Sequence, residues 1–435
     1  MRHSMKLELG TFPVRDVVHG RVNSYLNGVL EIDKRGLEAA ILQDGRISKV
    51  DMEIAKPGES CRITKIHDAL QPMVKVEGQG TCYPGVCGRP VATVGTGRTH
   101  RLGGITVMEL AEMPMYEGYD SPVEDFVDMS GPAAELSPLS ETINIGLRLV
   151  PDKGLSILDQ NEATHSAALL VSDTLAGLVR SLEPPIEEVF ELPACDPALP
   201  RAVYITCIRS SEHYSASVYA FWTAIYGLTR LTPPWLLHPN ELLDGAISAG
   251  SPYHGPAATS WVYANNPVVK EMYRLHGREL AFAGVIAIRT RWSAQFEKDI
   301  TSNQAAKLAQ MAGASGAVVT WDAGGNDFME TIRTVQACEK LGIKTVFLTG
   351  EDSPESGGPP LLEPLPEADA IVSTGFGGHA NRSRAPLPKV ERIVGFETIA
   401  ENIMLPKEQV SAREGTQYFR GRDVYGFTPL SAHDY

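Results

Sequence analysis

The stretch AFAGVIAI at residues 281–288 decides the fold class, because it is a short and nearly unbroken apolar run. Such runs are typical of parallel strands that are covered on both faces. Comparable runs recur in the C-terminal half, at residues 202–208, 235–238, 317–320, 345–349 and 370–374. Helical patterns at residues 304–312 and 328–341 lie between some of them. The sequence therefore predicts an α/β fold with a doubly wound, mostly parallel α/β domain over residues 201–435.

Residues 1–150 have the pattern of a β-rich N-terminal domain. Short β-branched or alternating stretches, separated by Gly, Pro and Asn, lie at residues 7–9, 29–32, 74–76 and 105–107. We expect a small sheet or barrel of hairpins here. Residues 151–200 are interpreted as a helix and a linker, because apolar residues recur every three or four positions over residues 157–182 and Pro184 ends that pattern.

The composition excludes several classes of protein. The chain has 435 residues, of which 43% are hydrophobic and 21% charged, and this balance excludes a largely disordered or coiled-coil chain. Its net charge of −14 opposes binding to nucleic acid or to an anionic membrane. No apolar run reaches the roughly 20 residues of a membrane span, and no signal-peptide core is present. We therefore expect a cytoplasmic protein.

Cysteine usage and glycine loops give no sign of a bound metal or nucleotide cofactor. The six cysteines are scattered, and the C-x4-C spacing of Cys82 and Cys87 is not that of a zinc site. A glycine-rich nucleotide fingerprint within a βαβ unit is absent as well. We expect buried or unreactive thiols in a reducing compartment and no metal-ligating residues.

Polar residues follow several of the predicted strands and are candidate site residues. His213 and His238 lie at or just after two of these strands, and ligands bind at the carboxyl ends of open parallel sheets. Histidine there can bind a carboxylate or transfer a proton, and it can equally cap a strand. Arg98 and His100, on a glycine turn, have the chemistry to grip a carboxylate or to hold the turn by hydrogen bonds.

The most unusual stretch is DGAISAGSPYHGPAATSWVYANNP at residues 244–267, which has little periodicity. Long irregular segments inside α/β domains are usually functional or disordered, and the three aromatic residues of this one favour order. It carries His254 and the adjacent pair Asn265 and Asn266. We expect residues 250–267 to lie over the carboxyl ends of the strands and to face His213 and His238.

Several short motifs, taken in their order and spacing, resemble one known family. They are IAKPGES at 54–60, VKVEG at 74–78, YPGV at 83–86, GRTH at 97–100, DMSGP at 128–132, DGAI at 244–247, NNP at 265–267, HG at 276–277, FAGVI at 282–286, GN at 325–326 and GIKTV at 342–346. The chain resembles the proprotein subunit of component B of the glycine/sarcosine/betaine reductases over most of its length.

The resemblance implies a substrate-activating subunit of an oxidoreductase complex. In that family the chain is cut in the segment that corresponds to residues 250–267, and a cysteine at the new N-terminus becomes a pyruvoyl group. That carbonyl forms a Schiff base with the substrate amine, and a selenocysteine on a partner subunit attacks the activated carbon. This sequence has no cysteine between residues 244 and 267. Ser251, which follows a glycine, is the alternative precursor of a pyruvoyl group.

Three hypotheses remain at the level of sequence. The first is an uncleaved, divergent reductase subunit, inactive alone, that holds a small substrate while a partner carrying Cys or selenocysteine cleaves a carbon–heteroatom bond. In it His254, His213 and Ser251 are the candidate catalytic residues. The candidate substrate-binding residues are Arg98, His100, His238, Asn265 and Asn266. The second hypothesis is a non-catalytic scaffold that shapes the catalytic partner, and the third is a self-contained catalytic unit.

Overall fold

The structure is a computed structural model in which helices and strands alternate with irregular segments. It describes residues 5–112, 126–131, 133–209, 223–228, 233–249, 258–290, 294–321, 328–351, 361, 363–376, 389–397, 425–427 and 431–432. Among these residues no helix is long and apolar enough to cross a membrane.

The N-terminal part of the chain is mostly strand. Its strands are β1 (Leu7–Pro13), β2 (Asp16–His19), β3 (Ser24–Leu26), β4 (Val29–Ile32), β5 (Ile47–Ala55), β6 (Cys61–Thr64), β7 (Ile66–Leu70), β8 (Met73–Glu77), β9 (Gly97–Gly103), β10 (Ile105–Ala111), β11 (Phe126–Asp128), β12 (Ile143–Pro151) and β13 (Ile186–Phe190). Its α-helices are α1 (Lys34–Leu42) and α2 (Ile157–Gly177), and short 3-10 helices lie at Val86–Gly88, Ala134–Leu136 and Pro138–Glu141.

The C-terminal part alternates strands with helices. Its strands are β14 (Arg201–Arg209), β15 (Ala224–Ile225), β16 (Trp235–Leu237), β17 (Ile247–Ser248), β18 (Ala281–Thr290), β19 (Gly316–Thr320), β20 (Lys344–Glu351), β21 (Ala370–Phe376), β22 (Arg392–Val394) and β23 (Ser431–Ala432). Its helices are α3 (Pro239–Leu243), α4 (Ser260–Ala264), α5 (Pro267–Leu275), α6 (Gln295–Met311) and α7 (Phe328–Lys340).

The apolar runs of the C-terminal half form strands and join one sheet, as predicted. The order of this sheet is β16-β18-β14-β19-β20-β21-β23 in the described part of the chain. The pairs from β18 through β21 are parallel, while β16 and β23 pair antiparallel at the two edges. The mixed α/β class is confirmed. The doubly wound arrangement and the domain boundaries at residues 150 and 200 stay predictions.

The N-terminal strands do not form a simple series of hairpins. Strand β8 pairs antiparallel with the next strand, β9, but β1 pairs in parallel with β9. Strand β10 likewise pairs in parallel with β12. The expected hairpins therefore account for pairs such as β3–β4 and β8–β9, while the parallel pairs were not predicted, because the alternation of side chains identifies a strand but not its partner.

Helix α2 has the predicted start and an earlier end. The hydroxyl of Ser156 caps it by accepting a hydrogen bond from the Asp159 amide at 3.1 Å. The helix ends at Gly177, five residues before the predicted end at residue 182, and turns continue from there. One side of α2 packs on β7, β10 and β12. This packing places His165 of α2 against the strands that carry Asp68 and Glu109.

Candidate functional site

A buried chain of hydrogen bonds joins α2, β10 and β17. Glu109 of β10 lies 2.9 Å from His165 Nδ1 through its Oε2 atom, and its other oxygen accepts a hydrogen bond from the hydroxyl of Thr164. The opposite ring nitrogen of His165, Nε2, lies 3.2 Å from the hydroxyl of Ser248. All four residues are buried. Carboxylate, imidazole and hydroxyl therefore follow one another in a line that can pass a proton.

A second buried carboxylate, that of Asp68, binds Ser260. Asp68 of β7 accepts hydrogen bonds from the backbone amide of Ser260 at 2.8 Å and from its hydroxyl at 2.5 Å. The Ser260 hydroxyl accepts a hydrogen bond from the Ala249 amide at 2.8 Å and lies 3.4 Å from the Ser248 hydroxyl. Ser248 and Ser260 stand on the two sides of residues 250–257. The network thus fixes both ends of that segment.

The charges of this network are set by burial and by one another. Burial alone would lower the pKa of His165, but its hydrogen bond and charge interaction with Glu109 outweigh burial and raise that pKa. Burial alone would raise the pKa of the Glu109 carboxyl, but the hydrogen bond and the charge interaction with His165 outweigh burial and lower that pKa. Burial raises the pKa of Asp68 to about 6, although His165 and Ser260 oppose the shift. His165 is thereby favoured as the imidazolium and Glu109 as the carboxylate, which is the arrangement of a proton donor held by its counter-ion.

The arrangement can deliver a proton to a group beside Ser248. Hydroxyl, imidazole and carboxylate in this order also make up the familiar array of serine hydrolases. Because the imidazolium form of His165 is favoured by Glu109, the direction that suits this array at neutral pH is donation through the Ser248 hydroxyl. We name this set of five residues, Asp68, Glu109, His165, Ser248 and Ser260, the relay cluster.

A buried ion pair next to the relay cluster fastens residue 244 to the N-terminal sheet. Asp244 forms an ion pair with Lys75 of β8, and both side chains are almost fully buried. Asp244 also accepts hydrogen bonds from the Thr99 hydroxyl at 2.6 Å and from the Gly95 amide at 2.7 Å. Gly95 has φ of +98°, and a Cβ there would lie 3.1 Å from Asn240, so glycine suits this close approach. Three of the quoted motifs, at 74–78, 97–100 and 244–247, meet at this joint.

Arg98 and His100 both lie on β9, but they have different hydrogen-bond partners. Arg98 pairs with Glu8 through two nitrogens at 2.9 and 3.1 Å. His100 is buried, and its Nδ1 lies 2.8 Å from the Val179 carbonyl oxygen. These contacts engage the Arg98 guanidinium and one ring nitrogen of His100, and the binding of a substrate by either residue stays a prediction.

The other predicted binding residues lie at helix ends. His238 caps α3, where its Nδ1 accepts a hydrogen bond from the Asn240 amide at 3.3 Å. Burial lowers the pKa of His238 to about 4, so its imidazole is neutral at pH 7. Asn266 caps α5, and its amide nitrogen donates to the Tyr204 hydroxyl at 3.2 Å.

Asn265, the last predicted binding residue, faces two cationic side chains. It ends α4, and its amide nitrogen donates to the Trp261 carbonyl at 3.0 Å and to Gln71 Oε1 at 3.2 Å. Its oxygen is shared by Arg101 and Lys270. A role of Asn265 in substrate binding stays a prediction, as it does for His238 and Asn266.

His213, Ser251 and His254 lie outside the described residues, so their predicted catalytic roles stay predictions. Sequence reasoning missed the charged members of the relay cluster. A signal for them existed: Asp68 and Glu109 interrupt apolar strands, and His165 lies on the apolar helix α2. A charged side chain in a buried strand needs partners, because an unpaired buried charge is costly.

Together, fold and site define a mixed α/β protein in which a buried acid–base cluster holds both ends of one chain segment. A family model of glycine/sarcosine/betaine reductase component B subunits matches residues 5–428. The chain belongs to this family, and the resemblance inferred from its motifs is confirmed.

Curated relatives cover most of the chain at moderate identity. The glycine reductase complex component B subunits alpha and beta of Acetoanaerobium sticklandii are 33% identical over 400 residues, which cover 90% of this chain and 89% of the relative. The sarcosine reductase complex component B subunit alpha of Peptoclostridium acidaminophilum is 31% identical over 414 residues, with 92% and 91% covered. The betaine reductase complex component B subunit alpha of the same organism is 32% identical over 387 residues, with 85% and 84% covered. No solved structure matches the chain.

Proposed function

We propose that this chain is the substrate-activating subunit of a reductase complex of the glycine/sarcosine/betaine reductase type. In this proposal a small substrate binds beside residues 250–257, and a thiol or selenol on a partner subunit cleaves a carbon–heteroatom bond. The observation that carries the proposal is the relay cluster, because it places the His165 imidazole on one side and the Asp68 carboxyl on the other side of the segment in which the family forms its reactive carbonyl. Family membership supplies the reaction class.

The relay cluster has a defined task in this reaction. The partner's thiolate or selenolate attacks the substrate carbon and forms a carbon–sulfur or carbon–selenium bond. The carbon–heteroatom bond breaks, and its electron pair stays on the leaving heteroatom. A proton must then reach that heteroatom, and we assign its delivery to His165 through the Ser248 hydroxyl. Glu109 holds the imidazole in the orientation that makes this transfer possible.

The cysteines of the chain support a thiol from a partner. Thiolates are the nucleophilic form, and low pKa values mark reactive cysteines. Here burial raises the pKa of Cys61, Cys87 and Cys338 to about 12 in each case, and it raises that of Cys82 further. These four thiols are therefore poor nucleophiles near neutral pH.

Reconstitution tests this proposal. The full chain alone and the chain combined with its co-purified partner subunits are incubated with a candidate amine substrate and a dithiol reductant, and the released amine is quantified. Turnover only in the combined sample is the expected result. Turnover by the chain alone at the rate of the combined sample would contradict the dependence on a partner.

A scaffold role is the second candidate, and the missing cysteine between residues 244 and 267 favours it. A subunit without the family's reactive carbonyl can still position the catalytic partner. The two candidate functions differ in whether activity depends on the relay cluster, because a scaffold does not need the proton transfer that this cluster provides. Full activity of a reconstituted His165→Gln complex would favour the scaffold.

A further inference from the structure

The amine of Lys270, on α5, lies close to Arg101 and has no carboxylate partner of its own in the described part of the chain. Its Nζ atom is 3.5 Å from the side-chain oxygen of Asn265, and Arg101 Nη1 approaches the same oxygen at 3.4 Å. Glu188 is engaged by Arg101 Nη2 at 2.7 Å. Two cations therefore share one amide oxygen, and the nearby carboxylate pairs with only one of them.

This environment favours the neutral, nucleophilic form of the amine. Burial and, after it, the charge of Arg101 lower the pKa of Lys270 to about 8, and Glu188 opposes the shift only in part. An amine that is desolvated or placed beside another cation is a recognised type of activated nucleophile. Lys270 also remains partly exposed, so a small molecule can reach it.

We infer that Lys270 forms a Schiff base with a small carbonyl compound that carries a carboxylate, a 2-oxo acid. The Nζ atom attacks the carbonyl carbon, a carbon–nitrogen double bond forms, and the carbonyl oxygen leaves as water. No oxidant or reductant is needed. The imine is neutral unless its nitrogen is protonated, so the cation at residue 270 is lost, and the carboxylate of the ligand offsets the charge of Arg101. The inference goes beyond the proposed reductase reaction, and Lys270 adjoins Asn265, one of the predicted substrate-binding residues.

Reductive trapping tests the inference on the full unmodified chain. The protein is incubated with glyoxylate and cyanoborohydride at pH 7.5, digested, and mapped by mass spectrometry. Lys307 on α6, whose side chain is exposed, serves as the control within the same digest. An amine with pKa near 8 is about 200-fold more often neutral at this pH than an amine with the ordinary value of ~10.4. We expect Lys270 to be modified at least about tenfold faster than Lys307, and equal rates would overturn the inference.

A second carbonyl probe distinguishes the reactivity of the Lys270 amine from recognition of the ligand's carboxylate. Propanal, which has no carboxylate, is used under the same conditions. We expect the preference for Lys270 over Lys307 to be several-fold greater with glyoxylate than with propanal. Equal preferences would overturn the assignment to 2-oxo acids. A Lys270→Arg chain, which keeps the charge and loses the nucleophile, should show no adduct at residue 270 and unchanged modification of Lys307.

Discussion

His165 is the residue on which the relay cluster depends, because one of its ring nitrogens contacts the Glu109 carboxylate and the other contacts the Ser248 hydroxyl. Neither neighbour can replace its ring, which accepts a proton at one nitrogen and keeps its orientation through the other. Among the described residues, the Ser248 hydroxyl contacts no second imidazole and no carboxylate, since its remaining bonds go to the Ser260 hydroxyl and to the Ala249 carbonyl. Loss of the imidazole should therefore interrupt the proton path without removing any strand or helix.

The first prediction concerns activity at this residue. We expect His165→Gln to lower the activity of the reconstituted complex by about 10²-fold, because general acid catalysis is typically worth 10²–10⁴-fold. Circular dichroism should show a folded chain. The matched control is His19→Gln on the exposed side of β2, which should retain full activity. A His165→Gln complex as active as the control would remove the relay cluster from the mechanism.

The second prediction concerns the pH dependence of stability. The pKa of His165 is raised in the folded chain, so its stabilising contribution is complete below the ordinary value of 6.5 and is lost as the pH rises through the raised value. The pKa of Asp68, raised to about 6 from 3.8, also makes stability fall as the pH rises, between about 4 and 6. Glu109 has the opposite effect: because its pKa is lowered, its contribution to stability is lost as the pH falls into the acid range.

Melting temperatures measure this dependence. We compare the wild-type chain with a His165→Gln/Glu109→Gln variant, in which the pair is neutral at every pH. The advantage of the wild-type chain over the variant should be roughly 1–3 °C greater at pH 5.5 than at pH 8.0. A difference in melting temperature that stays constant over this range would show that His165 does not titrate there.

At the scale of elements, the joint between Asp244 and Lys75 connects the end of α3 to strand β8. Removing one partner of a buried ion pair leaves an uncompensated charge in the interior, which costs about 3–5 kcal/mol. We expect Lys75→Met to lower the free energy of unfolding in urea by this amount. Adding Asp244→Asn should restore part of it, because the remaining side chain is then neutral.

An exposed ion pair provides the control for the joint. Arg274 and Glu271 lie on the surface of α5, with side chains 58% and 54% exposed. Arg274→Met should leave the urea transition unchanged, because solvent screens such pairs. If Lys75→Met behaves like Arg274→Met, the buried pair does not hold these elements together.

The elements themselves were predictable from sequence to a large extent, while their partners were not. The apolar run at residues 281–288 lies inside the observed strand Ala281–Thr290, since a strand buried on both faces must be apolar throughout. Strand β1, in contrast, pairs with β9 and β13, which are distant in sequence. Nothing in a local pattern encodes such a pairing. The relay cluster escaped prediction for the same reason, because Asp68 meets Ser260 only once the chain has folded.

At the scale of the whole molecule, the two sides of residues 250–257 are held independently of the segment itself. On one side, β17 pairs with β15 and Ser248 contacts His165. On the other side, Ser260 is bonded to Asp68, and the chain then continues into β18, which pairs with β14. A cut within the segment would leave both fragments bound to each other through these buried contacts. Native mass and gel filtration therefore cannot distinguish a cut chain from an intact one.

The last prediction is that the chain remains one polypeptide. The family's cut generates its carbonyl from a cysteine, and residues 244–267 contain none. Serine hydroxyls are weaker nucleophiles than thiols at neutral pH, and the described hydroxyls of Ser248 and Ser260 are engaged in the relay cluster. Denaturing electrophoresis and intact mass spectrometry of the natural protein should give one species near 47.1 kDa. Two fragments of 250 and 185 residues, the products of a cut before Ser251, would contradict this and identify a pyruvoyl group derived from serine.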